Sequence, residues 1–318
     1  MEDIIKHLQQ TKSLDGLNLK RKESKWDLTN ISIPEPKIVN QLDNKNYSVK
    51  IPEKLFHFND VVLHNVDLSY SKLDFSIWEN CTFDNVLFTK SSLKNNKLIG
   101  CQFKNIVFEN ANLTDTLLGG YDGLNSGSFY KVVFIKSDMR RTYYSFPKFE
   151  YCQFNNCNLK EVNFEGSRFF NCSFKGKLDS VFFCGFPQYL PEDILLKLKG
   201  NKIYNPMENI DFSQAELFGV SFSNSIDLSS CIFPNSDNYI FIKSFPKTYE
   251  TAKEYIKLKW KGNEKAIALN LIDNIYLSKS NVNNKNDFLD KRVIDKMLRI
   301  NGFSDRLFSL FKEIEGNI

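Results

Sequence analysis

The sequence predicts an all-β solenoid in the middle of the chain and an α-helical region at its C-terminus. Three observations support this. A large apolar or aromatic residue recurs every five positions, a small residue stands two positions before most of these, and after about residue 246 the apolar spacing changes to three and four. A period of five matches neither a helix, at about 3.6 residues, nor a strand, at about two. The chain is therefore expected to turn a corner every five residues.

The large residue, here called the centre of each repeat, first occurs at Phe58 and recurs without a break to Leu118. After one inserted residue near Gly119 and Gly120, the series resumes at Leu124 and runs on, giving 24 centres. The small position is filled mostly by Val, Ser, Cys and Thr. Both positions are expected to point inward and the other three outward, which explains why 29 of the 318 residues are Phe.

This pattern resembles the pentapeptide-repeat family, whose motif is loosely A(D/N)Lxx. Residues Ala111–Asp115 match it well, and Cys157–Glu161 and Val162–Gly166 are close variants. The resemblance covers about residues 56–176, with a further block near 210–233. It implies a right-handed, four-sided β-helix. The many Lys, Asn and Ile residues fit an AT-rich bacterial genome.

Four repeats make one coil in that family, so the 24 repeats predict about six coils. Residues 20 apart, or 21 across the insertion, are then expected to stack, so that one column passes from Phe108 to Phe129. The stretch 119–128 (GGYDGLNSGS) is interpreted as a bulged but continuous coil, with an exposed loop as the alternative.

The flanks of the repeats divide the chain into four predicted regions. Residues 1–54 form an N-terminal helix and cap, with a short strand around Ile31 and Ile33, and residues 55–183 form the β-helix. Residues 184–242 contain a helical insertion at 191–199, between Pro191 and Gly200, and the final repeat coils. Residues 243–318 form the C-terminal helical region, with predicted helices at Thr248–Trp260, Glu264–Tyr276, Asp287–Ile300 and Ser304–Ile314.

The composition restricts the function. There are 42 Lys and Arg against 38 Asp and Glu, a net charge of +4, which does not favour direct nucleic-acid binding. With only three histidines, and without a phosphate loop or a nucleophile motif, we expect no catalytic residues, no metal and no cofactor. Met1–Gln10 lacks the apolar stretch of a signal peptide, and the sequence contains no membrane-spanning run, so we expect a cytoplasmic protein that does not bind membranes.

Several polar residues are assigned structural roles. Six of the seven cysteines occupy the small inward position and are expected to be buried thiols, although Cys81 above Cys101, and Cys152 above Cys172, would permit a disulfide outside a reducing compartment. The histidines His57 and His64 flank centres on the outer surface. A column of asparagines is interpreted as corner residues, and these are Asn65, Asn85 and Asn105.

The candidate partner-binding surface lies in the segment 140–148 (RRTYYSFPK). Exposed Arg and aromatic side chains commonly anchor protein interfaces. The residues expected to point outward there, or one coil away, are Arg140, Arg141, Tyr143, Phe146, Tyr151 and Phe170. The alternative is that the C-terminal tail or the helical insertion packs over them.

We therefore expect a non-enzymatic protein-binding module, either a scaffold or an immunity-type protein that neutralises a toxin. The alternative implied by the resemblance is a DNA mimic that binds DNA gyrase or topoisomerase. Relatives of that kind have acidic rods and dimerise through a short C-terminal helix, whereas this chain is nearly neutral and has a longer helical tail. An enzyme, or a basic-tail contact with nucleic acid or a membrane surface, is less favoured. Leu87 and Val107 mark either a homodimer patch or a surface beneath the N-terminal cap.

Overall fold

The computed structural model describes residues 2–42, 48–53, 55–120, 126–186, 205–280 and 285–317. The chain divides into two compact units, Met1–Asn163 and Phe164–Ile318, each of which is considered by itself. None of the helices in the described ranges has both the length and the apolar character needed to span a lipid bilayer.

In the described residues of the first unit there is one helix, α1, at Glu2–Thr11. Its strands are short, as expected for a chain that turns every five residues. They are β1 Arg21–Lys22, β2 Lys25–Asp27, β3 Ile38–Leu42, β4 Ser48–Pro52, β5 Phe56–Asn59, β6 Val62–Asp67, β7 Ser76–Glu79, β8 Thr82–Leu87, β9 Lys97–Ile99, β10 Gln102–Lys104, β11 Val107–Glu109, β12 Leu117–Gly119, β13 Ser128–Tyr130, β14 Val133–Ile135, β15 Tyr143–Ser145, β16 Lys148–Glu150, β17 Gln153–Asn155 and β18 Asn163–Phe164, the last at the boundary between the units.

These strands stack in parallel as a four-sided β-helix. Face 1 is a column of single bridges that runs from Lys72 to Asn158. Face 2 is the sheet β5-β7-β9-β12-β15-β18. Face 3 consists of β10, β13 and β16 on the first halves of the longer strands β6 and β8, and face 4 of β11, β14 and β17 on their second halves. The predicted β-helix is therefore confirmed.

The insertion near residue 120 is longer than predicted. Phe103 pairs with Phe129 and Phe108 pairs with Phe134, so equivalent residues are 26 positions apart there, not 21. The predicted column from Phe108 to Phe129 is wrong. Insertions of one and of six residues leave the same phase in a five-residue period, so the period alone does not distinguish them. Leu124, one of the predicted centres, lies outside the described residues.

The interior is built from the repeat centres. All 23 centres within the described residues are buried, as predicted. Their rings stack from coil to coil with centroids 4.6–5.1 Å apart on faces 3 and 4. The two ladders are Phe83, Phe103, Phe129 and Phe149 on face 3, and Phe88, Phe108, Phe134 and Phe154 on face 4. Offset stacking of this kind adds stability beyond the burial of area.

The corners have a common backbone conformation. The second residue after a centre takes a positive φ on coil after coil, as at Asn65 (55°), Asn85 (58°) and Asn105 (53°). Asn adopts this left-handed conformation more readily than most residues. The interpretation of the asparagine column as corner residues is confirmed.

The N-terminal segment closes the first coil. Strand β2 pairs with β6 through Trp26 and Val66, and Ser32 bridges Lys72, where a short strand was predicted. Helix α1 lies against β5, because the Gln9 side-chain amide donates to the carbonyl of His57 at 3.1 Å. The cap thus supplies hydrogen-bond partners that the open edge of the first coil requires.

The second unit contains further coils and a helical bundle. Its elements are β19 Arg168–Phe170, β20 Ser173–Asp179, β21 Phe182–Cys184, β22 Asp211–Phe218, β23 Ser221–Ser223, β24 Tyr239–Ile242, α2 Phe245–Lys259, α3 Gly262–Ser280, β25 Asp287–Asp290, α4 Lys291–Leu298 and α5 Phe303–Gly316. β20 pairs with β22 and β21 pairs with β23, both in parallel. The helix predicted at 191–199 lies outside the described residues.

The C-terminal helices agree with the predicted spacing except for the third. Residues Asp287–Asp290 form β25, which pairs antiparallel with β24, and helix α4 begins only at Lys291. The reason is the two aspartates. Buried Asp287 accepts a hydrogen bond from the Tyr249 hydroxyl at 2.7 Å, and Asp290 is the N-cap that accepts from the Arg292 amide at 3.0 Å.

Side chains from the bundle close much of the last coil. The Tyr239 hydroxyl accepts from the Leu217 amide at 2.9 Å, and the Asp290 carboxylate accepts from the Gly219 amide at 3.4 Å. Asn286 accepts from the Leu228 amide at 3.1 Å. These acceptors take the place that the carbonyls of a further coil would occupy.

We expect Phe108→Ala to lower the free energy of unfolding by about 3–5 kcal/mol, because it removes a fully buried ring that stacks on two others. Chemical denaturation measures the change. Glu109→Ala, an outward neighbour in the same strand, should change stability by no more than about 0.5 kcal/mol. Equal losses in the two variants would contradict the ladder as the main source of stability.

Candidate protein-binding surface

Many of the inward polar groups are already hydrogen-bonded within the fold. Small inward residues donate to the carbonyl of a centre one coil earlier, as do Ser91 to Leu68 at 2.9 Å and Thr116 to Leu93 at 2.7 Å. Thiols do the same, since Cys101 donates to Trp78 at 3.3 Å. Recognition of a partner therefore depends on the outward side chains.

All seven cysteines are free thiols, and five of them are buried. Burial raises the pKa of Cys157 to about 11 and that of Cys231 to about 12. A thiol with such a pKa is almost entirely protonated near neutral pH and is a poor nucleophile. These two cysteines are therefore structural residues.

Arg140 and Arg141 lie at the corner between faces 1 and 2, directly after the centre Met139. Arg140 donates from Nε and Nη2 to Asp138 at 2.9 and 2.6 Å. Arg141 donates from Nε and Nη2 to Asp115, one coil earlier, at 2.7 and 2.9 Å. The hydrogen bonds from Arg141 hold the pKa of Asp115 below its usual value. Both arginines are thus fixed by two-point contacts while their side chains stay about half exposed.

Tyr143 lies on face 2 beside this corner and is half-buried, in register with Leu117. Phe146 was expected to be exposed, and this is wrong, since only 6% of it is accessible. Its neighbour in the corner column is Gly120, whose amide donates to the Ser145 carbonyl at 2.8 Å.

Tyr151 does not join the arginines. It lies ten residues after Arg141, which is half of a 20-residue coil, so it occupies the diagonally opposite corner, between faces 3 and 4. Tyr151 is 51% exposed and its ring meets that of Tyr130 edge-on at 5.9 Å. The Lys131 ammonium lies 5.2 Å from the centroid of the Tyr130 ring. Tyr151 is exposed, as expected, but it lies apart from Arg140 and Arg141.

Phe170 belongs to the second unit, in β19, where it is half-buried. The structure thus brings together Arg140, Arg141 and Tyr143, here called the arginine corner. Sequence reasoning missed the carboxylates that fix this corner. Asp138 precedes Arg140 by two residues, so that pairing is local in the sequence. The pairing of Asp115 with Arg141 depends instead on the length of the insertion near residue 120, which the repeat period does not fix.

Other outward residues form smaller groups. Leu87, Val107 and Val133 stack on face 4 and are half-buried, in the column where a homodimer patch or cap contact was left open. His57 contacts Glu79 at 3.1 Å on face 2, and His64 contacts Asp84 at 3.2 Å on face 3. Across the described ranges, no three His, Cys, Asp or Glu residues are close enough to hold a metal ion.

Comparison with known proteins supports the repeat assignment. The family model "Pentapeptide repeats" matches residues 137–176 in eight copies, so this stretch consists of pentapeptide repeats. No curated protein shows significant sequence similarity to the chain.

Solved structures of repeat proteins are also similar. HetL, a pentapeptide-repeat protein involved in heterocyst differentiation regulation in the cyanobacterium Nostoc sp. strain PCC 7120, is 12% identical, and the match covers 56% of this chain and 90% of HetL with a TM-score of 0.33. Rfr23 of the cyanobacterium Cyanothece 51142 is 15% identical over 54% and 97% of the two chains, at 0.17. QnrB1, a plasmid-mediated fluoroquinolone resistance protein, is 15% identical over 62% and 90%, at 0.23. Such low scores carry no argument about function.

We expect Cys157 and Cys231 to resist modification by DTNB in the native protein at about pH 8, because the reactive thiolate is rare at a pKa of about 11 or 12. Peptide mapping by mass spectrometry after native labelling measures this. All seven cysteines should react once guanidinium chloride has unfolded the chain. Native labelling of either cysteine within minutes would contradict its raised pKa.

Proposed function

We propose that these pentapeptide repeats form a non-enzymatic module that binds a protein partner at the arginine corner. One observation supports this most: two adjacent guanidinium groups are each held by two hydrogen bonds on a rigid corner, with their outer sides accessible. Arg and Tyr are the residue types that most often dominate the energy of protein interfaces.

The ion pairs prepare the arginines for binding. A free arginine side chain loses conformational entropy when it is fixed in an interface, and these two are fixed before the partner arrives. The backbone beneath them is bonded to both neighbouring coils, since the Arg141 amide donates to the Lys160 carbonyl and Asp115 donates to the Arg140 carbonyl, both at 3.1 Å. We therefore expect the corner to keep its shape on binding.

The charge at the corner indicates the chemistry of the partner. Asp115 and Asp138 each neutralise one guanidinium, so the corner has no large net charge. A partner that offers carbonyl groups or an aromatic ring to the free edges of the guanidinium groups fits this surface better than a highly charged polymer. The free thiols support a reducing compartment, and we include a cytoplasmic location in this proposal.

The test is the triple variant Arg140→Ala, Arg141→Ala and Tyr143→Ala. Immobilised wild-type protein is exposed to bacterial lysate, and retained proteins are identified by mass spectrometry. The amount of a true partner that is retained should be at least about tenfold lower with the triple variant than with the wild type. The matched control carries Lys131→Ala and Tyr151→Ala on the opposite corner and should retain the partner. Undiminished retention by a folded triple variant would place the binding surface elsewhere.

The second candidate function, binding of gyrase or topoisomerase by mimicking DNA, receives less support from the surface. A mimic of duplex DNA needs a row of unpaired negative charges, whereas Asp115 and Asp138 are each engaged by an arginine. On face 4, the outward column of Leu87, Val107 and Val133 is apolar and contributes no negative charge to such a row.

We expect the protein to leave gyrase-catalysed supercoiling of relaxed plasmid unchanged at micromolar concentration, because that acidic surface is lacking. Agarose-gel assay of plasmid topology measures this, with the triple variant run alongside. Inhibition by the wild-type protein but not by the triple variant would instead identify gyrase as the partner of the arginine corner.

A further inference from the structure

The last coil of the second unit has four sides, and three of them are closed. On one side the Phe212 amide donates to the Ile232 carbonyl at 2.7 Å, in the final segment of the solenoid. On the next, the Leu217 and Gly219 amides donate to Tyr239 and Asp290. On a third, the Leu228 amide donates to Asn286.

The fourth side is strand β23, and it remains an open edge in the described part of the chain. One edge of β23 pairs in parallel with β21, with Phe222 opposite Phe183, and the Ser221 amide donates to the Val181 carbonyl at 2.9 Å. Because alternate residues of a strand point their amide and carbonyl groups to opposite edges, those of Phe222 point away from β21. No strand in the described ranges pairs with that outer edge.

An apolar groove of about 320 Å³ lies along this open edge. Val220 and Phe222 line one wall, and Leu271 of α3 with Val293 and Met297 of α4 line the other. Val293 is 40% exposed and Met297 is 59% exposed, which is high for neighbouring apolar side chains on one helix face. The groove therefore combines unpaired strand backbone with accessible apolar surface.

Charge is nearly absent from the groove. Among the residues that the structure describes, the only charged one lining the groove is Asp290, and its carboxylate already accepts from Arg292 at 3.0 Å and from the Gly219 amide. A charged ligand would lose its hydration there and find no free counter-charge. The groove is complementary to an uncharged ligand.

We propose that this groove binds an extended, uncharged segment of a partner protein, which adds to β23 as one more strand. An extended polypeptide laid beside β23 offers a carbonyl and an amide to the outward-facing backbone groups of Phe222, as in strand addition. Its alternate side chains would be apolar and would lie against Phe222, Leu271 and Met297. This site is distinct from the arginine corner, which belongs to the first unit, so each can bind independently of the other.

A second copy of this chain fits the groove poorly. The open edge of β23 shares its groove with Leu271 of α3 and Met297 of α4, so the sheet edge of a second copy would have to fit between β23 and these helices. A short linear segment can enter where a folded sheet edge cannot.

The test begins with the full-length protein and a phage-displayed library of random nonapeptides. We expect enrichment of sequences with apolar residues at alternate positions and without charges. Binding of the most enriched peptide, made synthetically, is measured by fluorescence anisotropy. Met297→Glu should weaken binding by at least about tenfold, because it places a carboxylate in the groove. The control is Leu258→Glu, at a residue of α2 that is 78% exposed, and it should leave affinity unchanged.

Methylation of the peptide's amide nitrogens tests the strand geometry. Methyl groups on alternate amides should weaken binding by at least about tenfold, because those amides face Phe222, while methylation of the intervening amides should have little effect. The proposal fails if no peptide is enriched, if Met297→Glu binds as well as the wild type, or if all methylations have the same effect. Concentration-dependent dimerisation that the peptide abolishes would also overturn it, in favour of a second copy.

Discussion

The backbone hydrogen bonds between successive coils are the constraint on which the rest of the structure depends. Each short strand has partners one coil before it and one coil after it, so every residue position on a face must repeat its conformation from coil to coil. This requirement fixes the left-handed corners, where Asn is frequent. Polar residues at the small inward position, such as Ser91 and Cys101, also donate to a carbonyl of the preceding coil. The stacked rings follow from the same repetition.

The hydrogen bonds between coils must end at the first and at the last coil, and different groups supply the partners at these two ends. At the start, β2 and helix α1 supply backbone and side-chain partners to the first coil. At the far end the partners are side chains, with a hydroxyl from Tyr239, a carboxylate from Asp290 and an amide from Asn286. The Phe288 ring stacks on Phe233 at 4.9 Å and extends the aromatic column into the bundle. The helical region is thus held to the last coil by polar contacts around an apolar contact.

Much of the fold could be predicted from the sequence because the repeat is short and strict. Every centre in the described residues is buried, and three of the four C-terminal helices occur where the apolar spacing changes. The length of the insertion could not be predicted, because one additional complete repeat does not change the phase of a five-residue period. The third helix was mispredicted because burial of Asp287 depends on Tyr249, which is distant in sequence. The candidate surface was only partly predictable. Position along the chain indicates which residues face outward, but Arg141 and Tyr151, ten residues apart, lie on opposite corners.

The insertion after Gly120 has a consequence for how such a protein can change. Six more residues separate Phe103 from Phe129 than separate Phe83 from Phe103, yet the two pairs of rings stack equally closely. The register of the ladder is therefore maintained across the six-residue insertion that follows the corner residue Gly120. A corner of this kind tolerates an inserted loop, because the interior of the coil keeps its packing. A loop inserted there, by evolution or by design, can therefore provide a new binding specificity.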